Sequence, residues 1–564
     1  MASDKEKPSK DTGELVSPYS KSFQEKVYDL SQKTFLLIII AIITKLFGLF
    51  RLGVTSSVFG ATLQTDMFFG IFGSTIVLFE ILPYAFNQAL VPRYVDLIVK
   101  RDRDGFNRAV STSMNYVLVI SLVIFIMCSV WAEPIRRIFF HLTDPELSDI
   151  ANNLFRLSFL VLFLNVFIGS LTAIIYAHDQ VISPSVLNFI NGINVLICIL
   201  VFSQSLGIFS MVLGYLTGGL CQIIYLWIIA KRTGFQWQPL NFGIGEGFQN
   251  YVRPIGPAYL AILVAQLNII IDRSFTSRLN DEGLVTVLSY AGILNLIILI
   301  FSSAFSAAVL PKLSSLKSME MKEEYKTLLV KGILVVLYLI LPIAIAAMLV
   351  ARPIATLILY YGKFTDDPQN LFATYNVFRI NIIWALFYMI NMQLFNAYYT
   401  FKDFTWPLIV SSVNVFTNVV FNMMFTGITF GITFPVTYSW GVIGIAVSTA
   451  MGIVVSLLLS IYFIKPKIGN VVEMPVIRQI VKLGIASIFA FGIGLWINRQ
   501  VFFSRYTDIS VSVPFTLLQV ITVIVVCIMV FSIVSYFVNR QTMLFVFHML
   551  REFLSRKKSI PNHT

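Results

Sequence analysis

Charge is what this sequence has least of. Asp, Glu, Lys and Arg make up 12% of its 564 residues, where soluble domains carry about a quarter. So thin a polar complement cannot cover a water-soluble surface. Cysteine is scarce too: Cys128, Cys198, Cys221 and Cys527 all fall in apolar runs with no C-x-x-C pair, which excludes a disulfide framework and a thiolate metal site. His141, His178, His548 and His563 are too scattered to share an ion. No G-x-x-x-x-G-K-[ST] loop occurs, so P-loop ATP hydrolysis is excluded and no enzyme of that type is expected.

What is present is hydrocarbon: 57% hydrophobic residues and a mean hydropathy of +0.81. Apolar runs of about 20 residues predict about fourteen transmembrane helices, beginning near Thr34, Asp66, Ala109, Asn153, Val186, Ser210, Tyr251, Gly283, Leu328, Ala373, Pro407, Val436, Ile477 and Val513. The fold class is therefore an all-α polytopic membrane protein. Residues 1–33 are polar and mixed in charge, and are expected to form a retained cytoplasmic tail. With that tail inside, Lys and Arg concentrate in the inside loops (Arg93 to Arg108, Lys231 and Arg232, Lys312 to Lys326, Lys402, Lys465 and Lys467, Arg556 to Lys558) and are sparse outside. Both termini should face the cytoplasm. The net charge of +12 is then a topology signal with attraction for anionic lipid, and no soluble domain offers a basic stripe to nucleic acid.

The chain repeats itself. ALVPRY with Pro92 and AVLPKL with Pro311 lie 219 residues apart, as do AEPI with Pro134 and ARPI with Pro353. YAHDQVISP with Pro184 and YTFKDFTWP with Pro407 lie 223 apart. The predicted organisation is two six-helix lobes, 34–232 and 233–465, a helix pair in 466–540, and an amphipathic basic tail, 541–564, suited to a membrane surface. An even number of helices per repeat gives both lobes one orientation and a cleft between them, where repeat-built transporters hold their solute.

Several charges stand in segments otherwise fit for lipid, where each costs about 2.5–3.5 kcal/mol on insertion scales. Lys45, Arg51, Asp66 and Glu80 either face a watery cavity or, for the two cations, snorkel to an interface. Asp272 and Arg273 are adjacent, so they point about 100° apart on a helix. One can face the cleft, or both can form a pair at the helix exit. Asn188, Asn191 and Asn194 share one helix face, and Asn414, Asn418 and Asn422 share another; Asn191 aligns with Asn414. Such amides also serve as interhelical glue. Arg156 and Arg379 sit near helix ends and are expected to snorkel, and HLTDPELSD is expected to be a polar capping loop.

The run TKLFGLFRLGVTSSVFGATLQTDMFF resembles the first-helix signature of the bacterial lipid II flippases, the MviN/MurJ type of the MOP transporter superfamily. The resemblance continues through AFNQALVPRY, IDRSFTSRL, VLPKLS, RPIATLILYYGKFT and AYYTFKDFTWP. It implies a V of two pseudo-symmetric lobes around a cationic central cavity, a groove for the undecaprenyl tail along the extra helix pair, and alternating access in the cytoplasmic membrane. It also implies a role in peptidoglycan synthesis and cell shape, with cell-wall synthesis proteins as partners. Lys45, Arg51 and Asp66 match the family's charged positions, and Glu80 and Arg273 join them as candidate substrate-binding residues. The resemblance further implies sodium as coupling ion, at Asp272, Asn414, Asn418 and Thr449. An oxygen-rich set with one carboxylate suits a hard monovalent cation. The chain departs from the pattern at Leu52, Leu78, Phe79 and Ile293, where the family carries an acid or arginines.

The leading reading is a lipid-linked saccharide flippase, with lipid II as first substrate. The alternatives are an exporter of another polyprenyl-linked oligosaccharide, or of an amphiphilic cation drawn by Glu80, and a non-transporting scaffold with the flippase fold. A membrane-embedded transferase would need clustered acids or histidines, and only the stretch at His141 offers any.

Overall fold

The computed structural model describes residues 18–142, 147–239, 241–242, 247–279, 281–430, 439–501, 513–540 and 543–544, with side chains from Leu36 onward except at 38, 261, 265, 297 and 300–312. The start of the expected N-terminal tail, most of the polar stretch after His141 and nearly all of the basic tail 541–564 lie outside the described residues.

Every regular element among the described residues is helical. Helix α1 (Pro18–Phe59) ends at Gly60, whose φ of +67° turns the chain into a Thr62–Thr65 capping box. That box starts α2 (Leu63–Met67), which runs through a π-helical stretch, Phe68–Gly73, into α3 (Ser74–Val99) as a single 37-residue span. Asp102 caps α4 (Arg103–Val130) by accepting from the Gly105 N–H; the short α5 (Ala132–Phe139) follows. Then come α6 (Ser148–Ala177), α7 (Ile182–Ser185), α8 (Leu187–Leu206) and α9 (Phe209–Arg232).

The second half opens with a π-helical turn at Phe248–Val252 and α10 (Ile255–Thr276), bent by 52° along their common course. It continues through α11 (Leu284–Ser318), α12 (Lys322–Leu349), the short α13 (Ala351–Leu359), α14 (Pro368–Thr400), α15 (Thr405–Thr426) and α16 (Gly441–Ile468). Two more helices, α17 (Met474–Gln500) and α18 (Val513–Val538), pack on each other and on α12.

Twelve described helices are long and apolar enough to cross a membrane, or thirteen counting the bent pair. The remaining run expected from the sequence coincides with α11, whose apolar stretch over fully described residues is Leu284–Leu296.

Sequence repeats recur as local structure. The AEPI and ARPI marks become α5 and α13, each leaving its long helix at a residue of nearly equal conformation, Trp131 (φ −101°, ψ 37°) and Val350 (φ −104°, ψ 22°). Asn191 presses its side-chain oxygen on Gly218 of the next helix, and the aligned Asn414 does the same to Gly452. A Cβ at Gly218 would meet that oxygen at 2.7 Å. Between lipid-embedded helices there is little hydrophobic drive, and small residues gain dispersion by letting backbones close up. Gly214 against Val195 and Gly169 against Pro83 are further cases. Buried apolar side chains fall into one cluster drawn from Phe59–Ile255 plus Val285, and others drawn from Val287 onward plus Leu52. Large exposed apolar residues such as Ile126, Val130, Ile488 and Phe537 sit on outer faces suited to acyl chains.

Candidate functional site

The two halves meet tightly at the end of the molecule where α1 finishes and α11 begins. Ser56 donates to the Leu359 carbonyl at 3.1 Å, and Tyr290 donates to the Gly60 carbonyl at 3.2 Å. Gly53 lies so close to Ile358 that a Cβ there would come within 2.7 Å of its carbonyl oxygen. Asp66 is the centre of this seam. Its carboxylate accepts from the Gly283 N–H, the Thr286 N–H and the Thr286 hydroxyl, each at 2.7 Å, and so caps α11 from the other half of the chain. In this structure both Asp66 oxygens, expected from the sequence to meet substrate, are taken by the start of α11, and the side chain is buried in the seam. A second seam joins α10 to α5, where Ser274 donates to Ile138 O (2.6 Å), Arg278 to Arg137 O (3.1 Å) and the His141 N–H to Ser277 (2.9 Å).

Away from that end stand the other charged candidates. On α3 the residues Val77, Glu80, Tyr84 and Gln88 follow one another at helical spacing, and the last three are exposed. Tyr84 is 61% exposed. Arg51 of α1 lies in electrostatic range of Glu80 and of Tyr215 of α9. Tyr215 packs against Phe68 and Phe72 with centroids 6.3 and 5.6 Å away. From α10 comes Arg273, in electrostatic range of Tyr215, one of whose terminal nitrogens is buried without an acceptor. A Cβ at Gly73 would stand 3.3 Å from that nitrogen, so glycine leaves it room. Lys45 is exposed on α1.

The positions where the related pattern carries charge have turned into core. Phe79 is buried against Phe159, with centroids 5.2 Å apart, Leu78 packs on the same cluster, and Leu52 and Ile293 pack in the second half.

A separate polar cage lies between α10, α15 and α16. Asp272 is buried and accepts from Asn418 (3.0 Å) and Asn422 (2.9 Å) on one oxygen, and from the Thr449 hydroxyl (2.7 Å) on the other. Three of the four residues expected to hold an ion thus converge. Asn414 is the exception: it sits beyond them against Gly452, and its side-chain oxygen is buried without a partner. Asn422 takes its place in the cage, and its oxygen likewise lacks a partner. The sequence carried a signal for Asn422, the face shared with Asn414 and Asn418. It carried none for Tyr215, which is polar only at its tip. No group of three or more His, Cys, Asp or Glu side chains suited to a metal occurs among the described residues.

The Lipid II flippase MurJ family model matches residues 55–551. A probable lipid II flippase MurJ of Buchnera aphidicola is 24% identical over 391 residues, covering 67% of this chain and 74% of that protein. The lipid II flippase MurJ of Burkholderia cenocepacia is 24% identical over 360 residues, covering 61% and 69%. Among solved structures, a lipid II flippase MurJ in an inward closed conformation superposes with a TM-score of 0.75 at 19% identity, over 92% of this chain and 100% of that one. An inward-facing multidrug resistance MATE family transporter gives 0.61 at 15% identity, over 77% and 98%. With the family pattern spanning nearly the whole chain, and the fold shared from end to end, this protein belongs to the MurJ family of lipid II flippases.

Proposed function

We propose that this chain carries lipid II, or a closely similar polyprenyl-diphosphate-linked saccharide, across the cytoplasmic membrane by alternating access. The observation that carries this reading is that a guanidinium from each half of the chain, Arg51 and Arg273, lies in electrostatic range of one side chain, Tyr215, and that a buried terminal nitrogen of Arg273 has no acceptor. Arginine is the side chain best matched to phosphate oxygens, through paired N–H donors. With the termini in the cytoplasm, as the Lys and Arg distribution favours, the seam around Asp66 closes the outer side and the headgroup enters from within. Reversal requires that seam to part and the opposite end to close. No ATP is used on this reading, so an ion gradient or the membrane potential, worth about 2.3 kcal/mol per charge per 100 mV, biases the cycle.

The Asp272 cage supports a coupling role for a monovalent cation, sodium first. One carboxylate, one hydroxyl and amide groups that present either oxygen or nitrogen by a half-turn fit such an ion, and one amide oxygen there, that of Asn422, lacks a partner. The ion, when bound, would supply a positive charge between α10, α15 and α16. Asp272, Asn418, Asn422 and Thr449 would hold it.

Exposure of Glu80 favours one second reading, export of an amphiphilic cation. A bacterium depleted of its own lipid II flippase separates the two. Lipid II transport predicts rescue of wall synthesis by wild type and loss of rescue with well-inserted Arg51→Ala or Lys45→Ala. Absence of rescue by a correctly inserted wild-type chain would overturn it.

A further inference from the structure

Pro353 of the ARPI mark stands four residues after Leu349, the last residue of α12. Proline has no N–H, so the Leu349 carbonyl loses the donor that a continuous helix would bring to it. A bare carbonyl at membrane depth is costly, and a neighbouring helix has to supply the bond. Here the extra helix pair does so: Asn498 of α17 donates to Leu349 O at 3.1 Å, and Gln519 of α18 donates to the Asn498 side-chain oxygen at 2.8 Å. Asn498 and Gln519 are both buried, so the chain of bonds is shielded from water. Around it Ile345, Ala346, Leu349 and Val350 pack with Val520, Val523 and Cys527. Gly494 of α17 permits the approach, since a Cβ there would stand 2.8 Å from the Leu349 side chain and 2.6 Å from the Cys527 sulfur. The equivalent residue of the first half, Val130, lies 219 residues before Leu349 and is 69% exposed, whereas Leu349 is buried.

The far end of the same break reaches the other half of the chain. Helix α13 begins directly after Val350, and its last turn clasps α1: Leu359 O accepts from Ser56, and Ile358 O lies against Gly53. We infer that Asn498 and Gln519 are positioning residues of the transport cycle, which hold the α12–α13 break in the form that presents α13 to α1 and so let the extra helix pair set the strength of the outer seam. The inference rests on the proposed alternation between two openings, whatever lipid is carried. At 1.5 Å per residue α13 is a lever about 13 Å long, so a tilt at its root lifts its tip from α1.

The test is hydrogen exchange of the full-length chain in nanodiscs, without substrate, read by mass spectrometry at the Gly283 and Thr286 amides. These bond to Asp66 across the seam and belong to the start of α11, not to the extra pair. Asn498→Leu removes the donor to Leu349 and is expected to speed exchange there about two- to tenfold, the range of one lost hydrogen bond, while α6 amides stay unchanged. Gln519→Leu, a milder change, is expected to act in the same direction and by less. Pro353→Ala returns an N–H four residues after Leu349 and is expected to reduce the effect of Asn498→Leu. Faster exchange confined to α12, α17 and α18, with Gly283 and Thr286 at the wild-type rate in both leucine variants, would overturn the inference, because the pair would then only brace its own neighbours. So would an Asn498→Leu effect that Pro353→Ala leaves undiminished. Either result would leave the lipid II reading standing, since that reading is tested by translocation.

Discussion

Asp66→Asn tests the seam that holds the two halves together. The native carboxylate receives three hydrogen bonds of 2.7 Å, two from backbone N–H groups at the start of α11 and one from the Thr286 hydroxyl. An asparagine keeps one acceptor oxygen and turns an amino group toward the donor it can no longer satisfy. Losing one bond to a charged acceptor costs about 1.5–3 kcal/mol. Losing the negative charge at a helix N-terminus adds about 0.3–1 kcal/mol. The seam should therefore open more easily by about 2–4 kcal/mol, on the order of a hundredfold in the opening equilibrium. Hydrogen exchange of the full chain in nanodiscs, followed by mass spectrometry, reads this at the Gly283 and Thr286 amides, whose exchange should accelerate by that factor while α6 amides stay unchanged. Exchange at Gly283 and Thr286 equal to wild type would refute the assignment of Asp66 as the cap that closes this end.

Gly452→Ala forces a methyl group onto the Asn414 side chain and should lower the thermal midpoint by the equivalent of about 1–3 kcal/mol. Gly484→Ala on α17, with nothing within 4 Å, should leave the midpoint unchanged or raise it. Sodium chloride should raise the thermal midpoint of wild type relative to choline chloride, and Asp272→Asn should abolish that difference, because a cation that binds the folded form stabilises it by mass action. In the loop after α14, burial pushes Asp403 up, but its bond to Lys467 at 2.7 Å, the Trp406 N–H, the Lys467 charge and the Thr405 N–H outweigh it and hold the carboxyl below its usual range. A depressed carboxyl stabilises fully above its unfolded pKa of about 3.9 and loses that contribution as pH falls through the lower folded value. The midpoint difference between wild type and Lys467→Gln should accordingly be full at neutral pH and close below that range.

How much was legible follows from which interactions are local. Apolar runs announce helices because each span must bury its own backbone polar groups. The twin AEPI and ARPI marks were legible only as a repeat; that each opens a short helix, with its proline in the first turn, is seen in the structure alone. Asp272, Asn418 and Thr449 were brought together only by the family resemblance, because their convergence depends on packing of α10 against α15 and α16, which no spacing encodes. Asn414 lies on the same face as Asn418, but a glycine on the facing helix draws it into packing instead. The Asp66 contact to the start of α11 was not legible, because a lone carboxylate in an apolar segment looks alike whether it faces a substrate or a helix start more than 200 residues away. Phe79 and Leu78 read as lost charges; in the structure Phe79 is core and Leu78, half-buried, packs against it.

The central claim is that Arg51 and Arg273 form the path of a diphosphate-linked lipid. Purified chain in proteoliposomes with fluorescent lipid II tests it directly, by following the fraction of label accessible to an impermeant quencher. The account predicts protein-dependent translocation by wild type, and its loss in both Arg51→Ala and Arg273→Ala reconstituted at equal density. Translocation at wild-type rate by either variant would contradict it.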